Sequence, residues 1–255
     1  MCLIAFAYKT HPKYKLIVAA NRDEFYNRPT DVAHWWPDYP MILAGRDRQA
    51  GGTWMGVSNT GRFAAVTNYR DIPSIKQDAL SRGQLPTDFL GGKEQSKSYA
   101  ERVFKKRAEY NGFNLLVMDD ELVYTGNYIQ HSRVLSRGVY GLSNALLDAR
   151  WPKIKQAKEK LSDLIEGPFD QQQLIDLLKD KETAPDELLP QTGLSYEKEK
   201  ALSAMCIRTE GYGTCCSTAL TIDYEGNVSF TEKSFAVGAR KEQTVDFSFT
   251  IKPPL

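Results

Sequence analysis

A cysteine directly follows the initiator methionine, and this pair opens the sequence. The small second side chain favours removal of Met1, which leaves Cys2 with a free α-amine beside its own thiol. An unperturbed α-amine has a pKa of roughly 8, so it can accept the thiol proton near neutral pH and serve as the base of a one-residue nucleophile–base unit. The alternative is that Cys2 is a small apolar residue at the start of a core strand, as most cysteines are.

Four polar residues, Asn21-Arg-Asp-Glu24, follow immediately after a run of five apolar residues. The end of a strand presents side chains rigidly, so such a group can carry function. If Cys2 lies on the partner strand of a hairpin, Arg22 favours the thiolate and the Asp23 carboxylate holds the ammonium, with Glu24 turned the other way. The alternative is a solvated turn with an ordinary surface ion pair.

The composition narrows the class of protein. The chain has 33 Lys and Arg against 32 Asp and Glu, a net charge of +1, which predicts no nucleic-acid partner. Four cysteines, two of them adjacent at Cys215 and Cys216, are too few for a disulfide framework and predict a reducing, cytoplasmic location. The three histidines lack partners at metal-site spacing, so no metal is predicted. A His-Pro-Lys turn splits the apolar start of the chain, which argues against a signal peptide or a membrane span.

Elements that would position these residues can be read from apolar periodicity. Residues 2–8 and 15–20 predict a hairpin, and residues 53–58 and 62–67 predict a second hairpin around Asn59-Thr-Gly61. Helical spacing over 81–110 predicts two helices broken at Gly91-Gly92, and further helices are predicted at 151–164 and 169–178. The remaining predicted strands are 113–118, 122–125, 128–135, 216–223, 228–235 and 244–251, and loops are predicted at 27–40 and 182–190.

Strand blocks and helix blocks occur in separate runs, which predicts an α+β fold with mainly antiparallel sheets. Eight to ten strands suit two stacked sheets with helices packed outside. The length of 255 residues is compatible with a single domain over 1–255.

The segment from Leu16 to Pro29, LIVAANRDEFYNRP, resembles the signature of the NRDE family, also called the transport and Golgi organization family. Further blocks fit that family in the same order: Met1-Cys2, Gly51-Gly-Thr-Trp-Met-Gly56, Ala65-Val-Thr-Asn-Tyr69, Tyr110-Asn-Gly-Phe-Asn114, Tyr140-Gly-Leu-Ser-Asn-Ala145, Gly211-Tyr-Gly-Thr214 and Phe230-Thr-Glu-Lys233. The resemblance therefore covers almost the whole chain.

That family in turn looks like the N-terminal-nucleophile (Ntn) hydrolases, especially the cysteine branch with bile-salt hydrolase and penicillin V acylase. The resemblance implies a four-layer αββα sandwich. It also implies catalytic roles for Cys2, Arg22, Asp23, Asn68 and Asn144, with the asparagines at the oxyanion site, and it makes Arg208 a candidate for the later arginine of that branch. The predicted substrate-binding residues are Asn21, Trp54 and Arg208. The chain departs from these patterns at two positions. The branch places its arginine three residues before the aspartate, whereas Arg22 directly precedes Asp23 here. The chain also has Cys215 where the family often has a basic residue.

Two functions stay open. In the first, the protein is an amidohydrolase in which Cys2 attacks a linear amide, with no cofactor required. In the second, which the resemblance suggests, the protein carries a small ligand such as haem or a lipid on the same scaffold without turnover. A haem would need an axial ligand, and His34, Cys2 or a methionine is a candidate. Trp54 also fits a core position, whereas Trp35 and Trp36 are predicted to rim a pocket.

Overall fold

The structure is a computed structural model that describes residues 2–238 and 241–252. Its strands are β1 (Cys2–Tyr8), β2 (Tyr14–Phe25), β3 (Thr30–Trp35), β4 (Ile42–Asp47), β5 (Met55–Ser58), β6 (Phe63–Asn68), β7 (Phe113–Met118), β8 (Leu122–Gly126), β9 (Arg133–Val134), β10 (Gly138–Leu142), β11 (Tyr212–Asp223), β12 (Asn227–Ser234) and β13 (Gln243–Thr250). Its α-helices are α1 (Gln84–Gly91), α2 (Ser96–Lys105), α3 (Pro152–Leu164), α4 (Gln171–Leu177) and α5 (Tyr196–Ala201).

The first of two compact units takes in the described residues of 1–27, 70–73 and 137–248. Its six-stranded sheet has the order β10-β1-β2-β11-β12-β13. Helices α3 and α4 cover one face of this sheet, where Ile154 and Leu161 pack against Leu3 and Ala5 of β1. Burial of each such aliphatic side chain contributes about 1.5–3 kcal/mol, so this helix–sheet contact fixes β1 firmly.

The second unit takes in the described residues of 28–69, 74–136 and 249–255. Its seven-stranded sheet has the order β3-β4-β5-β6-β7-β8-β9. Helices α1 and α2 pack on this sheet through a cluster that includes Phe89, Tyr99 and Phe113. Each unit therefore consists of an antiparallel sheet with a helix layer on one face.

The predicted fold class, α+β with two mainly antiparallel sheets and helices packed on them, is confirmed. Both hairpins are confirmed, and α1 ends at Gly91, at the predicted break between the two helices. The single domain over 1–255 stays a prediction.

The loop predicted at 27–40 is wrong in its middle part, because Thr30–Trp35 forms β3. This strand pairs with β4 through a register shift between Asp31 and His34, which breaks the period-two pattern that marks a strand. Strands β4 and β10 and helix α5 are also absent from the sequence-based assignment. The loop predicted at 182–190 holds a short 3₁₀ turn, Asp186–Leu188.

Candidate active site

The register of the first hairpin places Cys2 opposite Arg22. Strands β1 and β2 are antiparallel, with Cys2 paired to Arg22 and Leu3 paired to Asn21. Directly opposed residues in such a pair have Cβ atoms roughly 4.5–5.5 Å apart and share a face of the sheet. The predicted neighbourhood of Cys2 and the Asn-Arg-Asp-Glu segment is therefore confirmed.

Arg22 is buried, with 5% of its surface exposed, and it lies between two strands that both carry a cysteine opposite it. Its partner on β11 is Cys216, so Cys2, Arg22 and Cys216 form a row across three neighbouring strands. A guanidinium nitrogen lies 3.7 Å from a carboxylate oxygen of Glu24. The prediction that the Glu24 side chain points away from this group is therefore wrong. Glu24 lies on the same face of the sheet as Arg22, because residues two apart on a strand share a face.

Asp23 is 1% exposed and tightly held. The hydroxyl of Thr214 donates a hydrogen bond of 2.6 Å to Oδ1 of Asp23, and the hydroxyl of Tyr212 donates to its backbone carbonyl at 3.2 Å. Burial raises the pKa of the Asp23 carboxyl, while the Lys153 ammonium, the Thr214 hydroxyl and Arg22 lower it. Burial has the largest effect, so the pKa of this carboxyl lies above its ordinary value.

The thiol of Cys2 is in a similar environment. Burial raises its pKa, and the Asp23 carboxylate raises it further, whereas Arg22 and a hydrogen bond from the backbone N–H of Asp23 lower it. Because burial dominates, the thiol needs a base to become a nucleophile at neutral pH. Met1, whose removal would expose the α-amine of Cys2, lies outside the described residues.

A third strand brings Asn144 to the same place. Strand β10 pairs with β1 on the side away from β2, with Leu142 opposite Ile4. The next residue, Ser143, donates a hydrogen bond of 2.9 Å to the backbone carbonyl of Cys2, and its hydroxyl lies 3.3 Å from Oδ1 of Asn144. Asn144 is 1% exposed. We refer to Cys2, Arg22, Asp23, Ser143 and Asn144 as the Cys2 site.

Lys153, on the first turn of α3, is a charged neighbour of the Cys2 site that sequence reasoning missed. Its side chain is buried, and its Nζ donates a hydrogen bond of 2.9 Å to the carbonyl of Leu202. Burial lowers the pKa of Lys153 from its ordinary 10.5 to about 8, while the Asp23 carboxylate acts in the opposite direction. The Trp151-Pro152 dipeptide before it indicates a helix start, but nothing in the local pattern indicates a buried ammonium.

Arg70 and Glu199 form a buried ion pair next to the segment that carries Asn144. Nη1 of Arg70 is 2.7 Å from Oε2 of Glu199, and both side chains are less than a tenth exposed. The backbone N–H of Thr192 donates to the other Glu199 oxygen at 2.8 Å. The backbone N–H of Arg70 donates a 2.8 Å hydrogen bond to the Asn144 carbonyl, so this pair supports the segment that carries Asn144.

Comparison with known proteins identifies the family. A family model described as transport and Golgi organisation 2 matches residues 1–237. The chain belongs to this family. The predicted family is therefore confirmed over nearly the whole sequence.

Relatives in this family match the full length of the chain. The mouse "Transport and Golgi organization 2 homolog" is 37% identical over 276 residues, which cover 99% of this chain and 100% of the relative. The human "Transport and Golgi organization protein 2 homolog" is 38% identical over 257 residues, 92% of this chain and 93% of the relative. Among solved structures, an ortholog of N-acylethanolamine-hydrolyzing acid amidase from Caenorhabditis elegans aligns with a TM-score of 0.45 at 14% identity, covering 86% of this chain and 92% of that one.

The predicted substrate-binding residues lie in different settings. Asn21 is fully buried. Its side-chain amide donates to the carbonyls of Leu178 and Met205 and accepts from the hydroxyl of Ser217, so its polar atoms link β2 to distant segments of the chain. Arg208 is exposed and donates to the carbonyl of Thr214. The substrate-binding roles of both residues stay predictions, and the geometry of Asn21 favours a structural role.

Asn68 and Trp54 belong to the second unit. Asn68 is half-buried at the end of β6, opposite Phe113, and the half-buried ring of Trp54 fills the space above Gly45. Their predicted catalytic and substrate-binding roles stay predictions. The structure thus brings together four of the predicted residues, Cys2, Arg22, Asp23 and Asn144, in the first unit.

The aromatic segment of the second unit divides between core and surface. Trp36 is buried, with its indole N–H bonded to the carbonyl of Ala44, which corrects its predicted place at a pocket rim. Trp35 does line a surface pocket of about 290 Å³, together with Phe249 and Lys252. Nδ1 of His34 lies 2.8 Å from the carbonyl of Val32. Binding of haem or a lipid stays a prediction.

Two further observations concern Cys215 and the helices. Cys215 lies at a register shift of β11, and its thiol contacts the backbone carbonyls of Glu24 and Gly213. Among the described residues, no helix has the length and apolar character needed to cross a membrane.

Proposed function

We propose that this chain is an amidohydrolase in which Cys2, made N-terminal by removal of Met1, attacks the carbonyl carbon of a linear amide. The observation that carries the proposal is the arrangement at one end of β1: the thiol faces Arg22 across the hairpin, and the buried Asp23 carboxylate lies on the next residue. A structural cysteine at the start of a core strand has no need of a buried cation and a buried carboxylate on the strand beside it, and burial of such charged groups is costly.

In this mechanism the α-amine of Cys2 accepts the thiol proton, and the sulfur forms a bond to the amide carbon. The amide nitrogen leaves with the proton that the ammonium returns to it, which produces a thioester on Cys2. Water, deprotonated by the same amine, then attacks the thioester and releases the carboxylic acid and the thiol. The α-amine serves as the base in both half-reactions, so no further base is required.

The neighbours act on charges that appear along this path. Arg22 shares a face with the thiol and lowers its pKa, so it favours the thiolate. Asp23 balances the α-ammonium that forms when the amine takes the proton. Asn144 donates amide hydrogens to the oxyanion of the tetrahedral intermediate. Ser143 fixes the carbonyl of Cys2 and thus its orientation.

A cytosolic location is part of the proposal, because the thiol must stay reduced. Four cysteines in a chain of 255 residues are too few for a disulfide framework, which favours a reducing compartment.

The test uses the Met1-free protein, verified by intact mass, with p-nitrophenyl acetate as an acyl donor and a panel of N-acyl p-nitroanilides as amide substrates. We expect one equivalent of p-nitrophenolate in a burst, an acetyl mass on the Cys2 peptide, and turnover of at least one anilide. Cys2→Ala should abolish all three signals, whereas Cys206→Ala removes another buried thiol and should leave them intact.

Full retention of Met1 in the native host, or acetylation that appears first on another cysteine, would refute the proposal. Saturable binding of haemin or a fatty acid by Met1-free protein that shows no acyl intermediate would instead favour the carrier function. Haemin titrations include His34→Ala, since a Soret band that is the same with and without this histidine argues against His34 as the axial ligand.

A further inference from the structure

Arg70 begins a short piece of chain, residues 70–73, that belongs to the first unit although the chain before and after it belongs to the second. No described strand or helix lies within this piece. Its position in the unit therefore depends on contacts with other segments. The Arg70 side chain supplies such contacts, because the residue is only 8% exposed and its guanidinium is buried in the protein.

Three groups from distant parts of the sequence hold this guanidinium. Its Nη1 lies 2.7 Å from a carboxylate oxygen of Glu199 on α5 and 3.3 Å from the hydroxyl oxygen of Thr192. The guanidinium carbon also lies 4.9 Å from the ring centre of Trp151, the residue before α3. A cation held by a carboxylate, a hydroxyl and an aromatic face keeps one geometry, so Arg70 is a fixed point of the first unit.

Glu199 is equally constrained. Its Oε2 faces Arg70, and its Oε1 accepts hydrogen bonds from both the backbone N–H and the hydroxyl of Thr192. The side chain is 6% exposed. A buried ion pair is tolerated when additional hydrogen bonds satisfy its remaining lone pairs, and Thr192 meets this requirement. Both carboxylate oxygens are therefore committed to holding Arg70 in place.

Glu199 and Thr192 belong to residues 179–205, which we call the α5 loop. The Asn21 side chain holds its base, because its amide donates to one carbonyl directly before the loop and to another in its last residue. The Glu199 carboxylate joins the same loop to Arg70. The α5 loop thus connects β2, which carries Arg22 and Asp23, with the piece that begins at Arg70.

Contacts lead from this ion pair to the nucleophile. The backbone N–H of Arg70 donates a 2.8 Å hydrogen bond to the carbonyl of Asn144. The hydroxyl of Ser143 lies 3.3 Å from Oδ1 of Asn144 and donates to the carbonyl of Cys2 at 2.9 Å. Asn144 lies two residues beyond the end of β10, outside the ladder of the sheet, so its position depends on contacts of this kind. A continuous series of contacts therefore joins Glu199 to Cys2.

We propose that Arg70 and Glu199 are positioning residues of the Cys2 site, whose buried ion pair holds the Arg70 backbone so that its N–H keeps Asn144 in place for the oxyanion. The inference rests on the proposed amidohydrolase function, in which Asn144 stabilises the tetrahedral intermediate. A donor of this kind acts by being held in position before the reaction. A misplacement of about 1 Å can lower a rate roughly a hundredfold, so a residue without contact to the substrate can control the rate.

The first measurement follows Asn144 itself, through the side-chain ¹⁵N–H₂ resonances of Met1-free protein labelled at asparagine and assigned with Asn144→Ala. Glu199→Gln should shift these resonances, because a neutral amide holds a guanidinium less firmly than a carboxylate does. Asp186→Asn removes another ion pair of the α5 loop, the one with Lys200, and should leave them unchanged. Unmoved Asn144 resonances in folded Glu199→Gln would overturn the inference.

The second measurement separates oxyanion stabilisation from the reactivity of the thiol. Acylation of Cys2 by p-nitrophenyl acetate passes through an oxyanion, whereas its alkylation by iodoacetamide does not. In Glu199→Gln the rate constant of the p-nitrophenolate burst should fall about tenfold to a hundredfold. The rate constant of Cys2 alkylation, followed by peptide mass, should keep its wild-type value. Equal losses in both rate constants would show a general defect and contradict the positioning role.

A double-variant cycle tests whether the effect passes through Asn144. In an Asn144→Ala background, Glu199→Gln should cause no further loss of the burst rate constant, because the group that the ion pair positions is already absent. Additive losses would mean that the ion pair acts by another route, and the inference would fail.

Thr192→Val provides a variant that keeps both charges of the ion pair, in case Glu199→Gln does not fold. It removes the hydroxyl that contacts Glu199 and Arg70, so it should shift the Asn144 resonances and slow the burst in the same direction, with a smaller effect. Resonances and burst that both match wild type would contradict the proposal. Wild-type protein that forms no acyl intermediate, although Glu199→Gln moves the Asn144 resonances, would refute the amidohydrolase function and keep the positioning of Asn144.

Discussion

Replacement of Asn21 by alanine should destabilise the fold strongly, because this side chain joins β2 to two distant segments. Its Nδ2 donates to the carbonyls of Leu178 and Met205 at 3.0 and 2.9 Å, and its Oδ1 accepts a 2.6 Å hydrogen bond from Ser217. All three hydrogen bonds are buried. The change therefore leaves two carbonyls without this donor in a dry environment.

The magnitude follows from these contacts. A buried polar group left unsatisfied costs about 1–3 kcal/mol, and two such carbonyls predict a loss of roughly 3–4 kcal/mol in the free energy of unfolding. Ser217→Ala keeps the two hydrogen bonds donated by Asn21 and leaves one buried acceptor, Oδ1 of Asn21, without this donor. It should therefore cost about half as much, roughly 1–2 kcal/mol.

Urea denaturation followed by circular dichroism measures both variants, and equal m-values would show that the midpoints report stability. The catalytic assay adds a second readout. If Asn21 binds the substrate instead, Asn21→Ala should raise KM and leave the free energy of unfolding unchanged. If Asn21→Ala unfolds within 1 kcal/mol of wild type, the structural role assigned to this residue is wrong.

Three further predictions concern charge and packing. Arg70→Met or Glu199→Gln alone should lower the free energy of unfolding by about 3–5 kcal/mol, because each change leaves a buried charge without its partner. The double variant should recover part of this loss, and strictly additive losses in urea unfolding would contradict the pairing. The pKa of folded Lys153 lies near 8, below its ordinary 10.5, so the unfolded state binds more protons between these two pH values. Lys153 should therefore make the free energy of unfolding rise with pH over this range, by up to about 3 kcal/mol in total. Lys153→Met should lack that rise, and equal pH slopes for the two proteins would contradict the prediction. Gly45→Ala should lower the free energy of unfolding by about 1–3 kcal/mol and alter tryptophan fluorescence, because the added Cβ overlaps the indole ring of Trp54. Gly167→Ala, where a Cβ meets open space, should show neither change.

The part of the site that sequence reasoning identified is local. Cys2, Arg22 and Asp23 belong to one hairpin, so a turn signal and two apolar runs are enough to place them side by side. Asn144 was found only through a family resemblance, because nothing in its own segment indicates that β10 pairs with β1.

The missed residues depend on contacts between distant parts of the chain. Lys153 and Glu199 look like ordinary charged positions of surface helices, and their burial arises only when α3 and α5 pack beside the first sheet. Strand β3 was missed for a different reason, since its register shift disrupts the alternation on which strand assignment depends. Periodicity therefore located the elements with regular patterns, and tertiary packing decided the rest.

The row of Cys2, Arg22 and Cys216 across neighbouring strands has a consequence for oxidation. Because β2 lies between β1 and β11, and strands are about 4.8 Å apart, the Cα atoms of Cys2 and Cys216 are separated by roughly 9–10 Å. A disulfide requires about 4.4–6.8 Å, so these two thiols cannot close a bridge while the sheet is intact. Oxidation at Cys2 therefore has no resolving partner in Cys216, and it would proceed to a sulfenic acid or to a mixed disulfide with an external thiol such as glutathione.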